Sequence, residues 1–289
     1  MINGIAAVVV LYYPGEEEVS RNIKSYLPFV NLLVVVDNTD SEPGKNIGDN
    51  LMSLDKSVRY IANKKNEGIG YALNKAASIA LQEGYSWLLT MDQDSFFDAD
   101  QPEKYFSFFQ NNLADKKDIA VIAPLHSPGN LSNDPNSYSE AIAVITSGSL
   151  IQLETWKEIG GYNEKLFIDE VDHEYCYRVK EKGYKVIQVN NVVLNHQLGV
   201  KKSGAYLGAI ARRNRTIHSP QRVYFMVRNY LYVRKNYRKL FRDEFRKRDR
   251  MMLVALKNNL FFSGHFIAAV KSIIKGFRDF RKRNFSNTP

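Results

Sequence analysis

The feature that most constrains this chain is a series of short, mostly apolar runs set apart by segments of helical character. Residues 5–11, 32–36, 58–62 and 87–91 are rich in Val, Ile and Leu. Between them, residues 16–27 read as a helix, and 71–81 carry Leu73, Ala76, Ala77, Ala80 and Leu81 at helical spacing. Largely apolar strands alternating with helices predict an α/β fold with a mostly parallel sheet flanked by helices on both faces. Ligands of such sheets bind beyond the carboxyl ends of the strands. Asp37 follows the second run and Asp92 the fourth, so both are expected at that edge.

Farther along, residues 102–112 read as a helix, 119–123 as a strand, 127–137 as a loop, and 141–145 as a strand leading into Ser147-Gly148-Ser149. A short helix over 154–159 closes on Gly160-Gly161, and a helix over 170–182 stops at Gly183, as a left-handed C-terminal cap requires. A strand over 185–189 follows, and the chain beyond Pro220 reads as helical throughout. Charge divides the 289 residues unevenly. Residues 201–289 hold 23 Lys and Arg against 4 Asp and Glu, a net +19, whereas residues 1–200 carry a net −10. The expected division is a catalytic α/β domain over 1–200 and a basic helical appendage over 201–289. Such a tail faces the acceptor side, an anionic membrane surface or a second copy of the chain.

Cys176 is the single cysteine, which excludes an intramolecular disulfide framework and a cysteine-rich zinc site. No run approaches the ~18 apolar residues of a spanning helix. The start of the chain lacks a basic region ahead of its first apolar run, so no secretory signal is expected. A cytoplasmic location, at the inner face of the cell membrane if the tail binds lipid, is the expectation.

Three groups of residues can carry chemistry. Asp92-Gln93-Asp94 places two carboxylates one residue apart at the end of a strand, an oxygen donor set suited to Mg²⁺ or Mn²⁺; an acidic turn is the plainer reading of the triplet alone. Asn66-Glu67-Gly68-Ile69-Gly70 precedes a helix that includes Asn74, where glycines allow a phosphate to approach the backbone and the helix N-terminus attracts it. The stretch Asp169-Glu170-Val171-Asp172-His173-Glu174 offers a general base; Arg178 pairs with Glu174 one helical turn on, which sets Glu174 aside as structural. His196, after Val192-Val193-Leu194, either completes a cation site with Asp94 or is a hydrogen-bonded core residue. His126, His173, His218 and His265 show no metal-ligand spacing with it.

Together these pieces resemble glycosyltransferase family 2, the inverting nucleotide-sugar enzymes of GT-A (Rossmann-like) fold. The order is Val35-Val36-Asp37-Asn38, Asn66-x-Gly68-x-Gly70-x-Ala72-x-Asn74, Asp92-x-Asp94, Ser147-Gly148-Ser149, Gly160-Gly161-Tyr162, and Phe167-Ile168-Asp169-Glu170-Val171-Asp172 running to Arg178. The resemblance spans about residues 4–200. Within the family the chain is most similar to bacterial rhamnosyltransferases, through His196-x-Leu198-Gly199 and His218-Ser219-Pro220-x-Arg222 followed by Tyr224 and Arg228-Asn229.

The resemblance implies that Asp37 bonds the nucleotide base, with Asn66, Gly68 and Asn74 in the donor site. Asp92 and Asp94 would hold the ribose and the metal-bound diphosphate, with His196 as a further metal ligand, and Asp172 would be the base. Where the family has Glu-Asp this chain has Val171-Asp172, so Asp169 and Glu170 stay in contention for that role. The implied reaction is a metal-dependent single displacement. It moves L-rhamnose from dTDP-L-rhamnose to a saccharide acceptor, lipid-linked or not, in bacterial cell-surface polysaccharide of the O-antigen or capsule type. Galactofuranose, glucose and galactose nucleotides are the alternative donors. A nucleotidyltransferase would show a basic glycine-rich loop where this chain has Leu11-Tyr12-Tyr13-Pro14-Gly15. A nucleic-acid-binding protein would leave Asp37, Asp92, Asp94 and Asp172 unexplained, so no nucleic-acid partner is expected.

Overall fold

A computed structural model describes residues 4–40, 47–196, 201–202 and 215–285. The chain forms two compact units, one of Met1–Glu164 with Val171–Gln197 and one of Lys165–Glu170 with Leu198–Pro289. The break after residue 197 falls near the change of charge, but six residues ahead of Asp172 belong to the second unit, which no compositional signal marks.

The first unit is built on a nine-stranded sheet. Its amino-terminal half comprises β1 (Ile5–Leu11), β2 (Leu32–Asp37), β3 (Val58–Ala62) and β4 (Trp87–Asp92), all parallel, with β1 between β2 and β4. All six residues of β2 are buried, as strands covered on both faces require. The helices here are α1 (Glu16–Lys24), α2 (Ile47–Met52) and α3 (Ile69–Gln82). The face that α3 buries is built of Gly70, Ala72, Leu73, Ala76, Ala77 and Ala80, small enough to bring the helix close to the sheet.

The other half is mixed. After the short β5 (Ser95–Phe97) and α4 (Gln101–Asn112) come β6 (Ile119–Leu125), β7 (Tyr138–Ala141) and β8 (Ser149–Gln152), then α5 (Leu153–Glu158), α6 (Val171–Glu181) and β9 (Lys185–His196). Strand β6 runs parallel to β9, while β8 is antiparallel to both β4 and β6. The aromatic face of α4 fills the core, with Phe109 edge-on to Trp87 at 5.0 Å. Each such large apolar side chain, fully buried, contributes roughly 1.5–3 kcal/mol.

Two expectations change here. The strand anticipated at 141–145 is absent; the ladder is made by Tyr138–Ala141 and Ser149–Gln152 on either side. The apolar run is instead a connection that buries Val144, whose carbonyl accepts from the Cys176 thiol, and leaves Ile142 exposed. The strand expected over 185–189 continues to His196, because Asn190 and Asn191 do not end it. The register with β6 shifts there, from Pro124↔Val189 to Leu125↔Val193. The Asn190 backbone pairs with Ser132 and Ser137, and the Asn191 amide donates to the Pro135 carbonyl.

Gly148 makes the entry into β8 possible. Its φ is +78°, and a Cβ would lie 2.8 Å from Leu194 Cδ2 and 2.9 Å from Pro124 Cγ. Neither left-handed backbone nor that contact suits a side chain.

The second unit carries α7 (Pro220–Tyr237), α8 (Arg242–Phe262) and α9 (Phe266–Lys282), as the helical reading beyond Pro220 expects. The Ser219 hydroxyl caps α7 by accepting from the Arg222 N–H. Helices α7 and α9 meet at Gly276, where a Cβ would come within 2.8 Å of the Tyr224 carbonyl, and the Tyr224 hydroxyl bonds buried Asp279 at 3.1 Å. Among the described residues no helix is long and apolar enough to cross a membrane.

Replacing Gly148 by Ala should cost roughly 2–4 kcal/mol from backbone strain and overpacking together, read as a lower midpoint in urea unfolding. A loss below about 1 kcal/mol would show that β8 entry does not depend on this glycine.

Candidate active site

The site begins with register. Strand β1 pairs Leu11 with Asp37 on one side and Val10 with Asp92 on the other. Two carboxylates 55 residues apart in sequence therefore end up about 10 Å apart, two strand spacings, along one sheet edge. Asp37 is buried, and both its oxygens are engaged: Oδ1 accepts from the Thr39 N–H at 2.8 Å and Oδ2 from the Tyr60 hydroxyl at 2.5 Å. Burial, then the bond to Asp37, raises the Tyr60 pKa, so this hydroxyl stays a donor.

Gln93 fixes the turn that carries Asp92 and Asp94. Its side chain brackets the Tyr12 backbone, accepting from the N–H at 2.8 Å and donating to the carbonyl at 3.3 Å, while its own carbonyl accepts from Asn22. The turn is thereby pinned, with the residues on either side of Gln93 as a pair.

The third member comes from strand pairing. Strand β5 is antiparallel to β9 with Ser95 opposite His196. His196 Nδ1 lies 2.7 Å from Ser95 Oγ, 3.4 Å from Asp94 Oδ1 and 3.9 Å from Asp92 Oδ2. One ligand atom from each of Asp92, Asp94 and His196 falls within 4.8 Å of the others. The bond to Asp94 raises the His196 pKa, with both carboxylates adding to it and burial opposing. Two carboxylate oxygens and one imidazole nitrogen are a hard-to-borderline donor set, and all three side chains are partly exposed. The residues present therefore fit a divalent cation such as Mg²⁺ or Mn²⁺.

His126 is the residue that sequence spacing missed. The parallel pairing of β6 with β9 sets its ring 6.2 Å from that of His196. It donates from Nε2 to the Ser147 carbonyl at 2.8 Å, while the Ser147 hydroxyl accepts from the Asp92 N–H at 3.2 Å. Burial lowers the His126 pKa; the Asp172 charge acts on the ring in the opposite sense. Ser147 and His126 thus lie on the route from the Asp92 turn to the surroundings of Asp172. Tyr12 and Tyr13 were also missed as site residues: both rings are largely exposed just past the end of β1 and meet edge-on at 4.8 Å.

The glycine-rich segment is tied down by amides. Asn66 Oδ1 accepts from the Gly68 N–H, the Gly68 carbonyl accepts from Asn38, and Asn38 accepts in turn from Asn63. Gly68 has a φ of +87°. Asn74 faces the other way: its amide donates to the Tyr162 carbonyl and Glu164 and accepts from the Tyr162 N–H and Trp156. Its side chain joins α3 to the 156–164 segment.

Asp172 stands at the start of α6. Its Oδ1 accepts from the His173 N–H at 2.7 Å and lies 2.9 Å from His173 Nδ1. It lines a water-sized cavity with Thr146, Tyr162, Tyr175 and Cys176. Glu174 is buried and pairs with Arg178, as expected, at 2.9 Å. Arg178 also donates to the Ile159 and Gly161 carbonyls, holding the Gly160-Gly161 turn. Asp169 and Glu170 lie in the second unit, where Arg222 pairs with Asp169 at 3.0 Å and Arg248 pairs with Glu170. Of the rhamnosyltransferase-like residues after β9, Leu198 and Gly199 lie outside the described residues.

Arg178→Ala should destabilise the protein by about 3 kcal/mol, since it leaves the Glu174 carboxylate buried and uncompensated. The paired change Arg178→Met with Glu174→Leu should recover only part of that loss in urea unfolding, because the Ile159 and Gly161 carbonyls still lose their donor.

The sequence pattern described as "Glycosyl transferase family 2" matches residues 7–171. The chain is 29% identical over 253 residues to the dTDP-rhamnosyl transferase RfbF of Shigella flexneri, covering 82% of each chain. In structure it is similar to GalNAc-T7 crystallised with UDP, GalNAc and Mn²⁺, with a TM-score of 0.60 and 14% identity; 97% of this chain is covered but only 56% of that one. The fold is thus of GT-A type, with a helical carboxyl-terminal region. With more than half its length matched and its carboxylates gathered at the sheet edge, the chain belongs to glycosyltransferase family 2.

Proposed function

We propose that the chain transfers L-rhamnose from dTDP-L-rhamnose, with inversion, to a hydroxyl of a saccharide acceptor, lipid-linked in the cell, during assembly of cell-surface polysaccharide of the O-antigen or capsule type. The observation that carries the donor is the likeness to a dTDP-rhamnosyl transferase across 82% of both chains, which extends past the 7–171 family match.

In this reading Asp92, Asp94 and His196 hold a divalent cation, Mg²⁺ or Mn²⁺. When bound, the ion offsets the charge of the pyrophosphate and makes it a better leaving group. To hold the ion through Nδ1, His196 would have to give up its contact with Ser95. Tyr12 and Tyr13 offer exposed ring faces on which a base can stack, and Asp37 with Tyr60 frames the base end of the site. Asn66 and Gly68 shape the backbone that approaches the donor. Asn74 acts behind them, keeping α3 fixed to the 156–164 segment.

Asp172 serves as general base. It takes the proton from the acceptor hydroxyl as that oxygen bonds to the anomeric carbon; the bond from that carbon to the diphosphate breaks on the opposite face. What favours Asp172 over Asp169 and Glu170 is that the latter two are already neutralised by arginines, and that its spacing to Arg178 matches the family.

Asp172→Asn should reduce rhamnosyl transfer by roughly 10²–10⁴-fold while leaving the thermal shift induced by dTDP-L-rhamnose with Mn²⁺ unchanged. Full activity in that variant, with loss in Asp169→Asn, would move the base. EDTA should abolish both transfer and the Mn²⁺-dependent shift, and Asp94→Ala with His196→Ala should reproduce the effect of EDTA. A larger shift with a UDP-hexose than with dTDP-L-rhamnose would overturn the donor.

A further inference from the structure

Helices α8 and α9 of the second unit form a hairpin whose apolar residues face outward. Met251, Leu253, Phe261, Phe266, Ile267 and Ile274 are all more than half exposed. On the 21-residue α8 only Phe245 and Asn259 are buried, and Met251, Leu253, Val254 and Phe261 are each more than half exposed. The turn between the helices concentrates this feature: Phe261 and Phe266 meet at 6.1 Å between ring centroids, with Ile267 70% exposed beside them. On α9, Ala269, Gly276 and Asp279 face inward, and the outer face alternates Ile267, Ile274 and Phe277 with Lys271, Arg278 and Arg281. An apolar patch of this extent marks an interaction surface.

Charge identifies what covers it. Residues 250–278 carry Arg250, Lys257, Lys271, Lys275 and Arg278 and not one Asp or Glu; Lys275 and Arg278 pair with Asp279, the next residue on α9. A second copy of the chain would set Arg250, Lys257 and Lys271 against the same cations across a two-fold axis, which like-charge repulsion opposes. A bilayer of anionic lipid satisfies both features at once, taking the aromatic and aliphatic side chains at the acyl boundary and the Lys and Arg heads among the phosphates. Since no described helix is suited to crossing a membrane, the hairpin lies in the interface instead.

We infer that the α8–α9 hairpin is a membrane-docking element for anionic phospholipid, with Phe261, Phe266 and Ile267 as its inserting tip and Lys257, Lys271 and Arg281 as its phosphate-facing cations. The inference rests on the second unit alone and stands whatever sugar the first unit transfers.

Flotation of the full chain with phosphatidylcholine vesicles, with and without phosphatidylglycerol, tests it. Binding should require phosphatidylglycerol and weaken as salt is raised. Phe261→Ser with Phe266→Ser, at exposed positions, should weaken binding at least about tenfold with the unfolding midpoint unchanged. Lys257→Glu with Lys271→Glu should remove the phosphatidylglycerol preference. Phe266→Trp should shift its emission to the blue on adding the anionic vesicles. Equal binding to both vesicle types, unaltered binding by the serine variant, or a salt-stable dimer that the serine variant dissolves without any vesicle binding would each overturn the assignment.

Discussion

The first unit depends on the position of β1 between β2 and β4. Parallel pairing on both sides brings the carboxyl ends of three strands to one edge, and the register places Asp37 opposite Leu11 and Asp92 opposite Val10. Each strand is buried on both faces, so slipping by a residue would break ladder bonds and misplace side chains packed against helices on either side. The positions of the carboxylates follow from the hydrophobic core, which cannot form in any other register without loss.

Gathering like charges at such an edge has an electrostatic cost, and the structure meets it differently at each carboxylate. Asp37 is satisfied internally by a backbone N–H and a tyrosine hydroxyl. In the same unit Glu174 is matched by Arg178, and within the second unit Asp169 and Glu170 each pair with an arginine. Asp92 and Asp94 have instead an imidazole at 3.4–3.9 Å, in a partly exposed position. An imidazole, unlike a guanidinium, can serve as a counterion when protonated and as a metal ligand when neutral. That contrast sets this group apart from the structural ion pairs elsewhere in the chain.

The 165–170 segment shows how a few side chains can hold unfavourable backbone. Phe167, Asp169 and Glu170 all have φ between +60° and +67°, a region that costs a non-glycine residue on the order of 1 kcal/mol or more. Within the second unit, buried Asn229 donates to the carbonyls of Leu166, Ile168 and Asp169, and Arg228 donates to that of Lys165. The Arg228-Asn229 pair, which the rhamnosyltransferase resemblance singles out, thus has a structural task in this chain.

Much was legible in one dimension because it depends on local pattern. The strands at 5–11 and 58–62 fall where the apolar runs place them, and α3, α4 and the helical tail differ by only a few residues from their periodicity. The carboxylates after β2 and β4 were recognisable from their place behind buried strands, and Glu174–Arg178 from helical spacing. Where pattern misled, the cause was tertiary: in 141–145 Val144 packs into the core from a connection rather than a strand, and β9 runs through two asparagines because neighbouring chain pairs with the Asn190 backbone and the Asn191 amide. His126 next to His196 had no sequence signal, since 70 residues separate them. By itself the sequence determined which segments are strands and helices, which carboxylates lie at strand ends, and the charge of each part, because these depend on neighbours along the chain. Only the tertiary structure decided which side chains come within reach of one cation, which acids already have arginines, and which tail residues face outward, because each of these depends on pairing between strands and helices far apart in the chain.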